Sequence, residues 1–382
     1  MTSAHRDWLR LCRTENVGPV TFHQLLQRFG TPEAALEAIP RLAARGGRMA
    51  TLRIPTGADI DAELTAGDRC GARLLISTDH AYPKMLRSLS APPPVVWIKG
   101  HDHLLNTPAV GIVGSRNASA AGQKLARDLA MGLGAAGKVV VSGLARGIDT
   151  VAHVGSLKTG TIAVLGGGID HIYPQENADL YHEIATTGCL ISDSPVGHTA
   201  QARDFPRRNR IIAGLGQGLV VIEAAHKSGT LITATLAADM GREVMAVPGS
   251  PLDPRARGTN NLLRQGATLV ETVEDILEAL AHAQSLAQLQ GSLDLGEPGT
   301  DEFSAHGLDT APMETEIDAL RPRLLAQLSP TPIGRDDLAR SLGVSVALVN
   351  ATLLELELAG QAESQPGGLV AMGFDARAET VV

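Results

Sequence analysis

Val139-Val140-Val141-Ser142-Gly143-Leu144-Ala145-Arg146-Gly147-Ile148-Asp149 joins a β-branched apolar run to a turn of small residues. A run that is apolar at every position, not at every second one, predicts a strand buried on both faces. That is the condition of a parallel sheet covered by helices. The same pairing recurs on either side. Residues 110–113 run into Gly114-Ser115-Arg116, and residues 162–165 into Gly166-Gly167-Gly168. Residues 219–222 lead to Ser228-Gly229-Thr230, and residues 244–247 to Pro248-Gly249. Helical stretches such as 120–136 and 231–240 separate the runs. Strand–helix alternation predicts an α/β fold with a mostly parallel sheet over residues 109–272. A lead-in over 76–108 passes Pro92-Pro93-Pro94 into a further strand at 95–98, and a helix over 274–282 closes the core.

In such sheets ligands sit beyond the carboxyl ends of the strands, where these turns lie. Small residues there leave backbone N–H groups open to an anion at a helix start. Ser115 and Arg116 make one candidate phosphate cradle, and Gly143 with Arg146 another. Lys227, Ser228 and Gly229 open a helix and form a third. The sharpest local signal is Phe205-Pro206-Arg207-Arg208-Asn209-Arg210, which follows Arg203 and runs into the apolar Ile211, Ile212 and Leu215. Guanidinium groups form planar forks to phosphate, and Phe205 offers a ring for a base. Asp149 and His153 stand four residues apart, so they can face one another on a helix. No nucleophile accompanies them, and an aspartate that holds the turn, with the histidine as a hydrogen-bond donor on the helix, accounts for the spacing better. Gly111 and Gly114 lack the third glycine and the acidic partner of a dinucleotide fingerprint, and no Gly-x4-Gly-Lys-Ser/Thr sequence occurs. An anion-binding site is therefore expected, with no cofactor, metal or catalytic residue assigned.

A chain of 382 residues holds two or three domains. Aromatic residues make up only 3%, so base-stacking platforms are few. Cys12, Cys70 and Cys189 are widely spaced and fit a reducing cytoplasm. No apolar stretch reaches bilayer length, and Asp7, Arg10 and Arg13 interrupt any signal-peptide core, so a cytoplasmic protein without membrane insertion is expected. The net charge of −8 hides a division: residues 1–270 hold 28 Lys+Arg against 22 Asp+Glu, and residues 271–382 hold 5 against 19. An anionic ligand belongs with the first part.

The flanks read differently from the core. Residues 1–75 predict helices, with Gly18-Pro19 as a break and Thr31-Pro32-Glu33 as a helix start. They suit a docking module, or a backbone-holding helix–turn–helix. Residues 284–313, rich in Gly, Ser, Asp, Glu and Pro, read as a linker. Residues 314–382 predict a winged helix: helices at 317–328, 335–342 and 345–359, then a wing around Pro366-Gly367-Gly368. Its third helix carries no basic residue, and Glu355 and Glu357 stand where a major-groove reader has Arg, Lys, Asn or Gln. A protein contact or tail packing fits that helix better than DNA.

Taken together, the blocks Gly-Ser-Arg at 114–116, Ser-Gly-x-Ala-x-Gly-Ile-Asp at 142–149, Phe-Pro-x-Arg-Asn-Arg-Ile-Ile-Ala at 205–213, Ser-Gly-Thr-Leu-Ile-Thr-Ala at 228–234 and Gly-Arg-x-Val-x-Ala-Val-Pro-Gly at 241–249 resemble the DNA-processing protein A (DprA, Smf) family. The helical start is similar to that family's sterile-alpha-motif-like or helix-hairpin-helix extension, and the end to its winged helix. The resemblance implies an extended Rossmann-like, mostly parallel sheet and a homodimer through that Rossmann-like core, which binds single-stranded DNA in natural transformation. It also implies delivery of that DNA to RecA, in opposition to single-strand-binding protein. By motif matching, its phosphate contacts would be Ser115, Arg116, Gly143, Arg207, Arg208, Arg210, Ser228 and Gly229, with Phe205 for a base. Arg146 and Lys227 join them on charge and place. Two other readings of the residues remain open, a nucleotide or nucleoside-monophosphate hydrolase on a similar sheet and a nucleotide sensor. The first lacks the glutamate that follows the Gly-rich turn in phosphoribohydrolases.

Overall fold

The computed structural model describes residues 3–49, 51–292 and 314–373. Four helices come first: α1 (Ser3–Cys12), α2 (Pro19–Phe29), α3 (Pro32–Arg45) and α4 (Gly57–Arg69). Pro19 and Pro32 each occupy a first helical turn, where a missing N–H costs nothing. The Thr31 hydroxyl caps α3 by accepting from the Ala34 amide.

The central region alternates strand and helix: β1 (Arg73–Ile76), α5 (Lys84–Arg87), β2 (Val95–Gly100), β3 (Ala109–Gly114), α6 (Ala120–Ala135), β4 (Val139–Ser142), α7 (Ile148–Ser156), β5 (Thr161–Val164), α8 (Ala178–Thr187), β6 (Cys189–Ser192), α9 (Asp204–Leu215), β7 (Gly218–Ile222), α10 (Gly229–Asp239), β8 (Glu243–Ala246), α11 (Arg257–Arg264), β9 (Thr268–Leu269) and α12 (Val273–Ser292). The strands form one sheet in the order β1-β2-β6-β5-β4-β3-β7-β8-β9. Pairing is parallel from β6 through β9 and antiparallel at β1–β2 and β2–β6. The apolar runs are continuous because both faces are covered. Val139 and Val141 face one core with Ile211, Ile212 and Leu215 of α9; Val140 faces the other with Leu129, Leu133 and Ile148 of α6 and α7.

Three strands escape the sequence reading. β1 lies at the end of a helical region, β9 has only two residues, and β6 is a four-residue run with no glycine turn behind it. Helix α12 also runs ten residues past the expected end at 282, because Ala, Leu and Gln sustain a helix through the first part of the proposed linker. The rest of that linker, 293–313, lies outside the described residues.

The C-terminal elements are α13 (Glu314–Leu325), β10 (Ile333–Gly334), α14 (Arg335–Leu342), α15 (Val346–Leu358), β11 (Ala362–Gln365) and β12 (Leu369–Met372). The strands order as β10-β12-β11, a winged-helix sheet. Helices α14 and α15 meet at 112°, and Gly343 takes the left-handed conformation (φ 67°) that ends α14. Residues 1–60 and 295–382 group as one compact unit and residues 61–294 as another. No single helix among the described residues is long and apolar enough to cross a membrane.

Candidate nucleic-acid interface

Strands β3, β4 and β5 are adjacent and parallel, so the turns after Gly114, Ser142 and Val164 emerge at one rim of the sheet. From β3 the chain progresses outward to β6 and then returns to β7 on the other side of β3, which makes the β3–β7 boundary a topological switch point. Helix α9 is the returning crossover, and it packs against β3, β4 and β5. Its start is fixed by Asp204, whose carboxylate accepts from the Gln201 amide (2.8 Å) and bonds His198 Nε2 (2.7 Å).

The first turn of α9 brings Phe205 to a hollow at this rim, lined among others by Arg116, Gly143, Arg146, Tyr173, Phe205 and Arg208. The Arg116 and Arg208 guanidinium carbons lie 5.6 and 5.9 Å from the Phe205 ring centre, and the Tyr173 ring lies 5.5 Å away. Two cations on one ring leave its electron-rich surface already engaged. No carboxylate among the described residues forms an ion pair with Arg116.

Below the hollow, opposite charges are buried near one another. Arg208 is only 4% exposed, and its Nη1 donates to the carbonyls of Gly143 (2.6 Å) and Val164. A Cβ on residue 143 would lie 2.4 Å from that Nη1 and 2.8 Å from the Asp149 carboxylate, so only glycine fits. Asp149 accepts from the Gly143 and Ala145 amides (3.2 and 3.3 Å). Between them Leu144 is held at φ 54°, with its carbonyl bonded by Asn177 Nδ2 (2.9 Å). Burial pushes the Asp149 carboxyl up to about 6, against the pull of the Arg208 charge and the two amides. Burial also lowers Arg208 to about 10 and, with help from the Arg208 charge, His153 to about 3. His153 Nδ1 bonds Thr161 Oγ1 (2.7 Å), not Asp149. The pair four residues apart is thus a turn holder and a core histidine.

The arginine cluster is more dispersed than an open row of forks. The sequence places it before a helix; the structure places it within α9, where consecutive side chains diverge by about 100°. Arg208 points under the hollow and serves as its floor, not as a free fork. Arg207 is 55% exposed with Nε 3.6 Å from the Asp193 carboxylate. Arg210 donates to the Ala91 carbonyl (3.2 Å) and does not line the hollow, which corrects its expected place beside the others. Arg146 is exposed, with Nε 3.4 Å from Glu176. Ser115 Oγ accepts from the Asn117 amide, so it shapes the turn that carries Arg116. Ser228 caps α10 through the Thr230 amide, and the Thr230 hydroxyl donates to the Gly114 carbonyl (3.1 Å). Lys227, Ser228 and Gly229 therefore share the rim without lining the hollow. Sequence reasoning missed Tyr173 and His171, which line it from the loop after β5. Tyr173-Pro174 follows the run Gly166-Gly167-Gly168, and an aromatic residue just beyond a glycine turn was the available signal.

A family model for DNA recombination-mediator protein A matches residues 73–281. The chain belongs to this family. Models for a DprA-like N-terminal HHH domain and a DprA winged helix domain match residues 2–66 and 309–368. Protein Smf of Synechocystis is 34% identical over 385 residues, covering 94% of this chain and 96% of its own. DNA processing protein DprA of Bacillus subtilis is 45% identical over 213 residues, covering 55% and 72%. Among solved structures, DprA of Streptococcus pneumoniae covers 73% of this chain and 98% of its own at 30% identity, with a TM-score of 0.62. DprA of Helicobacter pylori, described for its unique single-stranded DNA binding mode, covers 57% and 96% at 28% identity, with a TM-score of 0.50.

Proposed function

We propose that the chain binds single-stranded DNA at the hollow between Arg116, Arg146 and the Phe205–Tyr173 pair. It would protect incoming strands during DNA uptake in the cytoplasm and hand them to RecA, in opposition to single-strand-binding protein. The observation that carries this reading is the Arg116 guanidinium, which has no carboxylate partner among the described residues, beside two rings and a glycine turn. A phosphate and its base need a cation and a flat apolar surface within one nucleotide's reach. Family membership and the single-stranded DNA mode of the Helicobacter pylori relative support it. A homodimer through the Rossmann-like core belongs to the same reading. The two-residue edge strand β9 and its half-exposed Leu269 leave a surface for it.

The hydrolase reading draws no support from Asp149 and His153, whose side chains serve Gly143, Ala145 and Thr161. Competition separates the remaining pair. A long single-stranded oligonucleotide should displace a labelled strand far more effectively than mononucleotides or duplex. Equal displacement by mononucleotides would favour a nucleotide sensor and reject the DNA reading.

A further inference from the structure

Helix α15 has two apolar faces, and only one serves its own domain. Val349, Leu353 and Leu356 pack inside the winged helix with Leu320, Leu338 and Val370. Leu354 and Leu358 instead complete the core of the N-terminal helices, against Leu11, Phe22, Leu25 and Leu42. The main chains meet closely: a Cβ on Gly46, just past α3, would lie 2.1 Å from the Glu355 carbonyl oxygen. Asn16 Nδ2 donates to the Leu358 carbonyl (3.2 Å).

The two glutamates of α15 are part of this contact. Glu355 is 0% exposed and Glu357 4%. Glu355 Oε1 lies 3.2 Å from Arg45 Nε, and its Oε2 accepts from Arg321. Arg45 also reaches Glu314 (2.7 Å) and Asp318 (3.3 Å) of α13. Glu357 accepts from the Thr21 hydroxyl (2.8 Å), from Arg335 (3.3 Å) and from Ser364. A buried carboxylate is strongly unfavourable without such partners. Facing DNA, the same residues would set two negative charges against phosphates.

We propose that the winged helix is a protein-docking module whose partner is the N-terminal helical domain of the same chain, held by Leu354 and Leu358 and by the Arg45–Glu355–Arg321 and Thr21–Glu357 contacts. The two ends close into one cooperative unit. The helix that a DNA-reading winged helix lays in the major groove is occupied by that contact. This inference is independent of the strand-binding role assigned to residues 61–294.

The test uses the full chain with a protease site inserted between residues 300 and 301 and cleaved after purification. Gel filtration and native mass spectrometry then follow the C-terminal fragment. It should remain bound to the N-terminal fragment, and hydrogen exchange should protect α3 and α15 together. Arg45→Ala should weaken retention about tenfold, since truncating one member of a buried charge pair acts on dissociation. Glu355→Gln keeps the volume and should do the same, which covers the case in which Arg45→Ala unfolds the first helices. Separation of the wild-type fragments on cleavage would overturn the proposal. So would protection of α15 by added duplex DNA, or full retention in Glu355→Gln.

Discussion

The rim of the central sheet and the socket around α15 both bury charge, but they balance it differently. In the socket, Arg45, Arg321 and Arg335 each meet a carboxylate, and Glu355 and Glu357 are enclosed. At the rim, Asp149 answers Arg208 below the surface, while Arg116 above it has no carboxylate among the described residues. A cluster whose charges cancel holds a fold together. A cluster with a surplus on its solvent side is suited to attract an anion. The overall charge of −8 conceals this, because the acidic side chains concentrate in the C-terminal part.

The largest effect that sharpens the contrast concerns pH. His153 stays neutral in the folded chain down to about 3, whereas the ordinary value is 6.5. The stability it contributes is complete above pH 6.5 and is lost as pH falls toward 3, by about 5 kcal/mol over that window. Asp149 acts with the opposite sign between 3.8 and about 6, because the folded state retains a proton there that the unfolded state has released. The clean observable is therefore a difference. In urea denaturation across pH 7 to 4, His153→Gln should lose less stability than the wild type. An identical decline in both would remove His153 from the account.

Next in size is the floor of the hollow. Arg208→Leu leaves Asp149 buried without its cation and two carbonyls without their donor. It should destabilise residues 61–294 by about 3–5 kcal/mol, read as a lower denaturation midpoint. If the midpoint stays put, Arg208 is not the strut described here. Smaller again is Arg116→Ala, which should leave stability within about 0.5 kcal/mol and weaken single-stranded DNA binding by about 1–2 kcal/mol in a filter-binding assay. Tyr173→Ala should cost about 1 kcal/mol of the same affinity if the ring carries a base, and none if it only props Phe205.

Much of this arrangement is legible in the sequence, for identifiable reasons. Strands buried on both faces leave unbroken apolar runs, so β3, β4, β5, β7 and β8 stand out, whereas β9 is too short to signal itself. Gly143 is legible as a turn residue from its place after an apolar run, whereas the crowding of Arg208 and Asp149 against it is visible only in the fold. The arginine cluster misleads on one point. Adjacent in sequence, Arg207, Arg208 and Arg210 look like one positive surface, yet helix geometry sends Arg208 inward and Arg210 to Ala91. The acidic residues of α15 argue against a DNA contact, but the residues it packs against, Asn16 and Thr21, lie 342 and 336 residues away in sequence, beyond the reach of any local pattern.

Under the proposed function, binding depends on the uncompensated charge at the rim and not on arginine count. A salt titration of single-stranded DNA affinity, comparing wild type, Arg116→Ala and Arg210→Ala, tests it most directly. With about four phosphates neutralised, log K should fall with log salt at a slope near −3. Arg116→Ala should make that slope shallower by about 0.7, and Arg210→Ala should leave it unchanged. A slope that shifts equally in both variants, or only in Arg210→Ala, would contradict the account.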